Sequence, residues 1–286
     1  MTKPVLAQRV LSLVSVAFSL ALVAALFACY WRFDSQLALA QAADSFMDVF
    51  TAAVLAWTVS VGARPRDEDH PFGHTRAEPI GALVAAVIAG VLAFEVARNA
   101  IDALASGRHA QTDWLLLAVF CVKTAFKGGM FAAAGAVLRR GPSPALSALR
   151  LDARNDVLLG LVAIGGFFGA RHGMPALDAL LALPVAGWIA HSGVRLARDN
   201  IRLLMGEAPS EKRQAELLAL AARVPGVHKT PSLRAHFVGT ELHLHVIIIV
   251  DAALPLRDAH DIGEAVRERL ESEPDVGHCS VHIDIE

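Results

Sequence analysis

Apolar residues fill six long blocks of the chain, at about 10–31, 37–61, 79–104, 114–138, 145–170 and 176–204. A transmembrane helix needs roughly 20 mostly apolar residues, so each block predicts one span. The breaks between them read "RFDSQ", "GARPRDEDHPFGHTRAE", "SGRHAQTD", "RRGPSP" and "RHGMP". Gly, Pro and charge mark each break as a turn. The opening "MTKPVLAQRVLSLVSVAFSLALVAALFACYW" begins like a signal peptide. Its apolar run is too long for one, and "ACYWRF" is a poor cleavage site, so it reads as a retained first span.

After Ala208 the pattern changes. In "APSEKRQAELLALAARV", Ser210 is an N-cap and Glu211 and Glu216 lie early in a helix. "SLRAHFVG" and "ELHLHVIIIV" read as strands parted by Gly239, "PLRDAHDIGEAVRERLES" as an amphipathic helix, and "VGHCSVHIDIE" as a last strand. The order αββαβ predicts a small α+β domain with helices on one sheet face. The expected architecture is an α-helical membrane protein: six transmembrane helices over 1–208, then a cytoplasmic α+β regulatory and dimerisation domain over 209–286. So small a domain is near the lower limit for independent stability, and dimer contact or metal would help it.

Composition agrees with this division. Hydrophobic residues make up 55% of the 286 positions and charged residues 19%, with mean hydropathy +0.47, too oily for a soluble domain. From Pro209 onward there are 8 Lys and Arg against 13 Asp and Glu; before it, 18 against 15. The soluble part is therefore acidic, which argues against nucleic acid as a partner. Cys29, Cys121 and Cys279 are scattered and suggest no disulfide framework. Lys3, Arg9, Arg64, Arg66, Arg76, Arg139, Arg140, Arg150, Arg195, Arg198 and Arg202 fall on one side of the predicted topology, against mainly Arg32, Arg108 and Arg171 on the other. Positive charge favours cytoplasmic loops, so both termini are expected in the cytoplasm, with the chain multi-pass in an inner (plasma) membrane.

Charges inside the spans carry the chemistry. "ADSFMDVF" puts Asp44 and Asp48 in the second block, and "RLDARNDVLLG" puts Asp152 and Asp156 in the fifth. Residues four apart share a helix face, and an ionised carboxylate in hydrocarbon usually faces a cavity, a partner or an ion. Four such groups gathered together would hold protons or share a dication, which outlines metal–proton exchange. A second reading pairs them with Lys127 and Arg154. An all-oxygen donor set favours Mn2+ over Zn2+, which more often recruits His or Cys. Glu95 and Lys123 fall at similar depth in neighbouring antiparallel spans and read as a buried ion pair, with a proton-coupling role as the alternative. In the loop "RDEDHPFGH", Asp67, His70 and His74 supply a carboxylate and two imidazoles, a candidate metal set. In the last strand His278, Ser280, His282 and Asp284 alternate onto one face.

"DSFMD", "DEDHPFGHTRAEP" and "DARNDVLLG", with the six spans and the His-rich tail, resemble the cation diffusion facilitator transporters over nearly the whole chain. The D-x-x-H-P-F-G-H loop is the most specific part. The resemblance implies a homodimer that exports divalent transition metals from the cytoplasm in exchange for protons. It implies a transport site at Asp44, Asp48, Asp152 and Asp156, and a second metal at Asp67, His70 and His74. Zinc-type members usually carry His at the position of Asp152, so this chain is more similar to the manganese-type branch. Mn2+ is then the favoured substrate and a regulator of the tail; export of Fe2+, Zn2+, Co2+ or Cd2+ is the alternative.

In the tail the resemblance implies metal ligation at His260, His282 and Asp284, at the dimer interface. Pro231 and Ile247 occupy two other family ligand positions, and His243 and His245, on the strand face of Ile247, are candidates to compensate. Some relatives lock protomers by pairing a basic residue at the position of Arg76 with an acid at that of Met205, where only Glu207 is a nearby substitute. Two other classes remain as alternatives. A non-transporting metal sensor would share these features. An intramembrane aspartyl hydrolase needs a dyad from different helices and a Gly-rich companion motif, and it fits poorly because each Asp pair lies within one helix.

Overall fold

A computed structural model describes residues 3–62, 64–65, 67–139 and 144–286, without the side chains of 3–15, 59, 144–146 and 148. Lys3 and Arg9 as charged side chains, Arg66, and most of the "RRGPSP" break with Arg140 lie outside the described residues. Among the described residues, six helices are long and apolar enough to cross a membrane. They are α1 (Lys3–Phe33), α2 (Gln36–Gly62), α3 (Ala77–Ser106), α4 (Trp114–Leu138), α5 (Pro144–Arg171) and α6 (Leu177–Leu204). Each contains or closely overlaps one of the expected blocks, because the Gly, Pro and charged breakers stop the helices where they stop the apolar runs.

The chain separates into two compact units. The first comprises 1–54 and 84–195. Its interior is built on small residues, among them Ala40, Ala89, Ala93, Ala163, Ala182 and Ala186. Without a hydrophobic drive between helices in lipid, close backbone approach supplies the packing. Gly160 of α5 is the clearest case, since an added Cβ would meet the Thr124 Oγ1 of α4 at 2.1 Å. Phe18 of α1 stacks on Phe126 of α4, ring centroids 3.6 Å apart. The outward side chains are also apolar: Leu20, Val87, Phe94, Val122, Leu158 and Val194 are all exposed, as surfaces facing lipid should be.

The second unit comprises 55–83 and 196–286. Its tail holds α7 (Glu211–Ala222), β1 (Lys229–Val238), β2 (Glu241–Val250), α8 (Leu256–Glu271) and β3 (Val276–Ile285), the expected αββαβ order. Ser210 caps α7 by accepting from the Arg213 N–H at 3.3 Å. The sheet order is β1-β2-β3. β1 and β2 are antiparallel; β2 and β3 are parallel, which requires a crossover, and α8 provides it. Val246, Ile248, Val250, Leu217, Val266 and Leu270 are buried together as the core. The opposite sheet face carries His243, His245, Ser280, His282 and Asp284, two residues apart along their strands. Thr75 donates from Oγ1 to the Val238 carbonyl at 2.9 Å. Gly239, at φ +66, packs so close that an added Cβ would lie 2.4 Å from the Thr75 carbonyl carbon.

Candidate functional site

The polar centre of the first unit is assembled from α2, α4 and α5. The four-residue spacing sets Asp44 and Asp48 on one face of α2 and Asp152 and Asp156 on one face of α5. Asp48, Asp152 and Asp156 each offer a carboxylate oxygen within 4.8 Å of the others. Asp156 is buried, Asp48 half-buried and Asp152 exposed. Asp44 is not a member of that group. Its Oδ2 is held by Lys123 Nζ at 3.0 Å.

Two lysines of α4 enter the same centre. Lys127 Nζ donates to Asp48 Oδ2 at 2.7 Å and pairs with Asp156 Oδ2. Lys123 Nζ donates to the Gln41 side-chain oxygen at 2.5 Å and to the Gln41 carbonyl at 3.3 Å. The Gln41 amide in turn donates to the Leu159 carbonyl of α5 at 2.8 Å. The second sequence reading of the acid pairs is thus met for Lys127 but not for Arg154, which donates to the neighbouring Asn155.

The expected Glu95–Lys123 pair does not form. Glu95 accepts from Arg98 at 2.7 Å, one turn along α3 and partly exposed, and Lys123 turns to Asp44. Similar depth fixes only one coordinate of two side chains; rotation of each helix about its axis decides which ones meet. Sequence reasoning also missed Asp178, at the start of α6. It is buried and accepts from Ser35 Oγ at 2.7 Å and from the Gln36 and Leu37 N–H groups at 2.5 and 3.3 Å. An acid at the head of a predicted span, opposite a Ser–Gln pair at the head of another, was the available signal.

In the second unit, Asp67, His70 and His74 form a compact group, with one ligand atom from each within 4.8 Å of the others. Asp67 Oδ1 accepts from the His70 N–H at 2.7 Å. Asp67 Oδ2 lies 3.3 Å from His74 Nε2, and the two rings are 4.4 Å apart. Some loss of solvation beside the two rings pulls the Asp67 carboxyl upward, but the backbone and ring hydrogen bonds from His70, and the charges of His74 and His70, outweigh it. The net effect holds Asp67 below its ordinary value. His74 Nδ1 is buried and has no hydrogen-bond partner. A carboxylate and two imidazoles so disposed match a metal donor set.

The tail residues are more dispersed. His260 is exposed on α8, and His245, His282 and Asp284 are exposed on the open sheet face. Among the described residues no group of three tail ligands falls within 4.8 Å of one another. Ile247 is the β2 neighbour of His282, so that rung carries one ligand type. His243 is only 7% exposed. It lies between His236 and His278 on adjacent strands, ring centroids 6.1 and 5.6 Å away, and Phe72 of the loop approaches it at 5.7 Å. Glu207, the candidate lock acid, is taken by Arg202.

Six apolar helices that carry clustered carboxylates, and a small acidic α+β domain, define a membrane carrier for cations. A family model for the cation efflux transmembrane domain matches residues 12–205, and one for the cytoplasmic domain of cation efflux proteins matches 209–286. An uncharacterized transporter of Methanocaldococcus jannaschii is 29% identical over 245 residues, covering 84% of this chain and 85% of that one. The manganese efflux system protein MneS of Bacillus subtilis is 23% identical over 285 residues, covering 96% and 94%. A solved MamM C-terminal domain is 31% identical over 27% of this chain and 96% of that one, with TM-score 0.26. The chain belongs to the cation efflux family. It is a multi-pass divalent metal cation efflux transporter with the family's cytoplasmic dimerisation domain, and the family is one of transporters rather than enzymes.

Proposed function

We propose that this transporter, as a homodimer, exports divalent metal from the cytoplasm in exchange for protons, with Mn2+ the favoured ion. The observation that carries this reading is the meeting of carboxylate oxygens from α2 and α5, Asp48 with Asp152 and Asp156, within 4.8 Å in the apolar part of the chain. In this reading Asp44 completes the set once its side chain leaves Lys123. The donors are all hard oxygens, which suit Mn2+ better than Zn2+. The similarity to a manganese efflux protein supports the same choice. Protons arriving from the far side neutralise the carboxylates and release the ion, so a charged, empty cavity is not carried back through lipid.

Asp67, His70 and His74 hold a second ion beside the entrance to α3, and His260, His282 and Asp284, with His243 and His245, complete a regulatory site only when two tails meet. The transporting part is 1–208 and the regulatory part 209–286, with both termini in the cytoplasm and the protein in the plasma membrane.

The test is metal uptake into proteoliposomes under an imposed pH gradient. Mn2+ should move faster than Zn2+, and collapse of the gradient should slow it. Asp156→Ala should abolish flux while the protein still inserts. Faster Zn2+ transport would overturn the selectivity; full flux in Asp156→Ala would overturn the site.

A further inference from the structure

A set of metal ligands alone does not account for the two lysines. Lys123 and Lys127 are 0% and 1% exposed and lie four apart on one face of α4. A buried ammonium is expensive unless it is paired, and these are paired with the carboxylates proposed to take the substrate. Lys127 Nζ lies 2.7 Å from Asp48 Oδ2 and also forms an ion pair with Asp156 Oδ2, so it bridges α2 and α5. Lys123 Nζ holds Asp44 at 3.0 Å and is steadied by Gln41.

We propose that Lys127, with Lys123 behind it, is a tethered stand-in for the transported dication. The ammonium occupies the carboxylates when metal is away and withdraws when metal arrives. The inference rests on Asp48 and Asp156 being substrate ligands.

Three physical points support it. First, a bound dication would approach these carboxylates to about 2.0–2.2 Å. An ammonium bonded to the same two groups would then sit within a few ångströms of it, in a cavity too dry to screen the repulsion. Second, two ammoniums carry the same charge as one dication, so the metal balances the charge that both ammoniums give up when they withdraw, and two of the four carboxylates are left for the exchanged protons. Third, lysine is a point charge on a flexible four-carbon stem, able to retract along α4 while the helix stays in place. The rival role, a rigid post that orients the carboxylates for metal, uses the same contacts but predicts the opposite sign of effect. Removing a competitor tightens metal binding; removing a post weakens it.

The deciding experiment is Mn2+ titration calorimetry on the full-length protein in detergent, with heat remaining in Asp156→Asn subtracted as the contribution of other sites. Lys127→Gln should bind Mn2+ at least tenfold tighter, melt lower without metal, and turn over more slowly in proteoliposomes, because the empty site loses its substitute cation. Lys127→Arg should bind close to wild type. Unchanged or weaker binding in Lys127→Gln overturns the inference. If Lys127→Gln cannot be purified, Lys123→Gln decides in the same assay: a tighter site supports the stand-in, and an unchanged or weaker one refutes it. Should Asp156→Asn bind Mn2+ with the full wild-type heat, the ligand assignment itself fails, whatever the lysine variants do.

Discussion

Asp178→Ala is a clean test of how α2, which carries Asp44 and Asp48, is anchored. The first N–H groups of any helix lack partners within it. Here the Gln36 and Leu37 N–H groups donate to a carboxylate from α6, at 2.5 and 3.3 Å, and Ser35 Oγ adds a third bond at 2.7 Å. The acid is 3% exposed, so water does not replace it readily. A hydrogen bond to a charged group contributes about 1.5–3 kcal/mol, and an orphaned buried donor costs about 1–3 kcal/mol. These terms overlap, because the same N–H groups enter both, and helix-cap removals alone run to about 2 kcal/mol. A loss of about 3–4 kcal/mol is therefore expected. At roughly 2–4 °C per kcal/mol for a chain of this size, the melting temperature in detergent should fall by roughly 6–16 °C. Asp178→Asn keeps an acceptor oxygen and should fall about half as far. Gln36 is eight residues from Asp44, about 12 Å along the helix, so the Mn2+ affinity of the folded fraction should hardly change. A melting temperature for Asp178→Ala within about 1 °C of wild type, by size-exclusion thermostability or circular dichroism, would refute the capping argument.

The other expectations follow from equally local geometry. Gly160→Ala should lower both the melting temperature and Mn2+ uptake, because its Cβ would overlap Thr124 Oγ1 at 2.1 Å; Thr124→Ala in the same chain removes that oxygen and should restore part of the loss. Gly239→Ala should expose the 55–83 and tail segments to limited proteolysis, since it adds strain at φ +66 and presses on the Thr75 backbone. Arg213→Ala should lower the melting temperature by a few degrees at pH 7, where Arg213 bonds Asp275 at 2.5 Å and Glu273 at 3.1 Å. Hydrogen bonding to Arg213 holds both acids below their ordinary values of 3.8 and 4.5. That stabilisation is present above those values and disappears as pH falls through the lower folded ones, so wild type and variant should converge only as pH falls well below 3.8. Convergence already at pH 6 would rule out the Arg213 contacts as the cause.

What the sequence made legible was whatever depends on runs and neighbours. The helices from Gln36, Trp114 and Leu177 start close to where polar breakers end, and the tail order followed from Ser210, the alternation in "ELHLHVIIIV" and the amphipathic "AHDIGEAVRERLE". The facial pairing of Asp152 with Asp156 was equally plain, since it depends only on helical pitch. Contacts set by helix rotation were not legible. Lys123 could be given a depth but not a partner, and Glu95 found Arg98 three residues away instead. Asp178 meets residues 141 to 143 positions away, and the polar residues at the heads of the two spans signal a cap without naming which groups pair. The same limit applies to His243, whose neighbours His236 and His278 come from strand register rather than sequence proximity.

The composition of the centre explains why so few charges suffice. Every charged group there that is fully buried is ion-paired with a residue of a different helix: Lys123 of α4 with Asp44 of α2, Lys127 of α4 with Asp48 of α2 and with Asp156 of α5. Gln41 adds a neutral strut from α2 to the Leu159 carbonyl of α5, beside Gly160, which packs against Thr124 of α4. A bond within one helix survives any movement of that helix, whereas a bond between helices is strained by the first ångström of sliding. With the polar bonds placed between helices, a shift of α5 against α2 and α4 changes the charge balance of the cavity directly. Occupancy of the carboxylates, by ammonium or by dication, must then bias the arrangement of the three helices in return, because linkage between ligand and conformation is reciprocal.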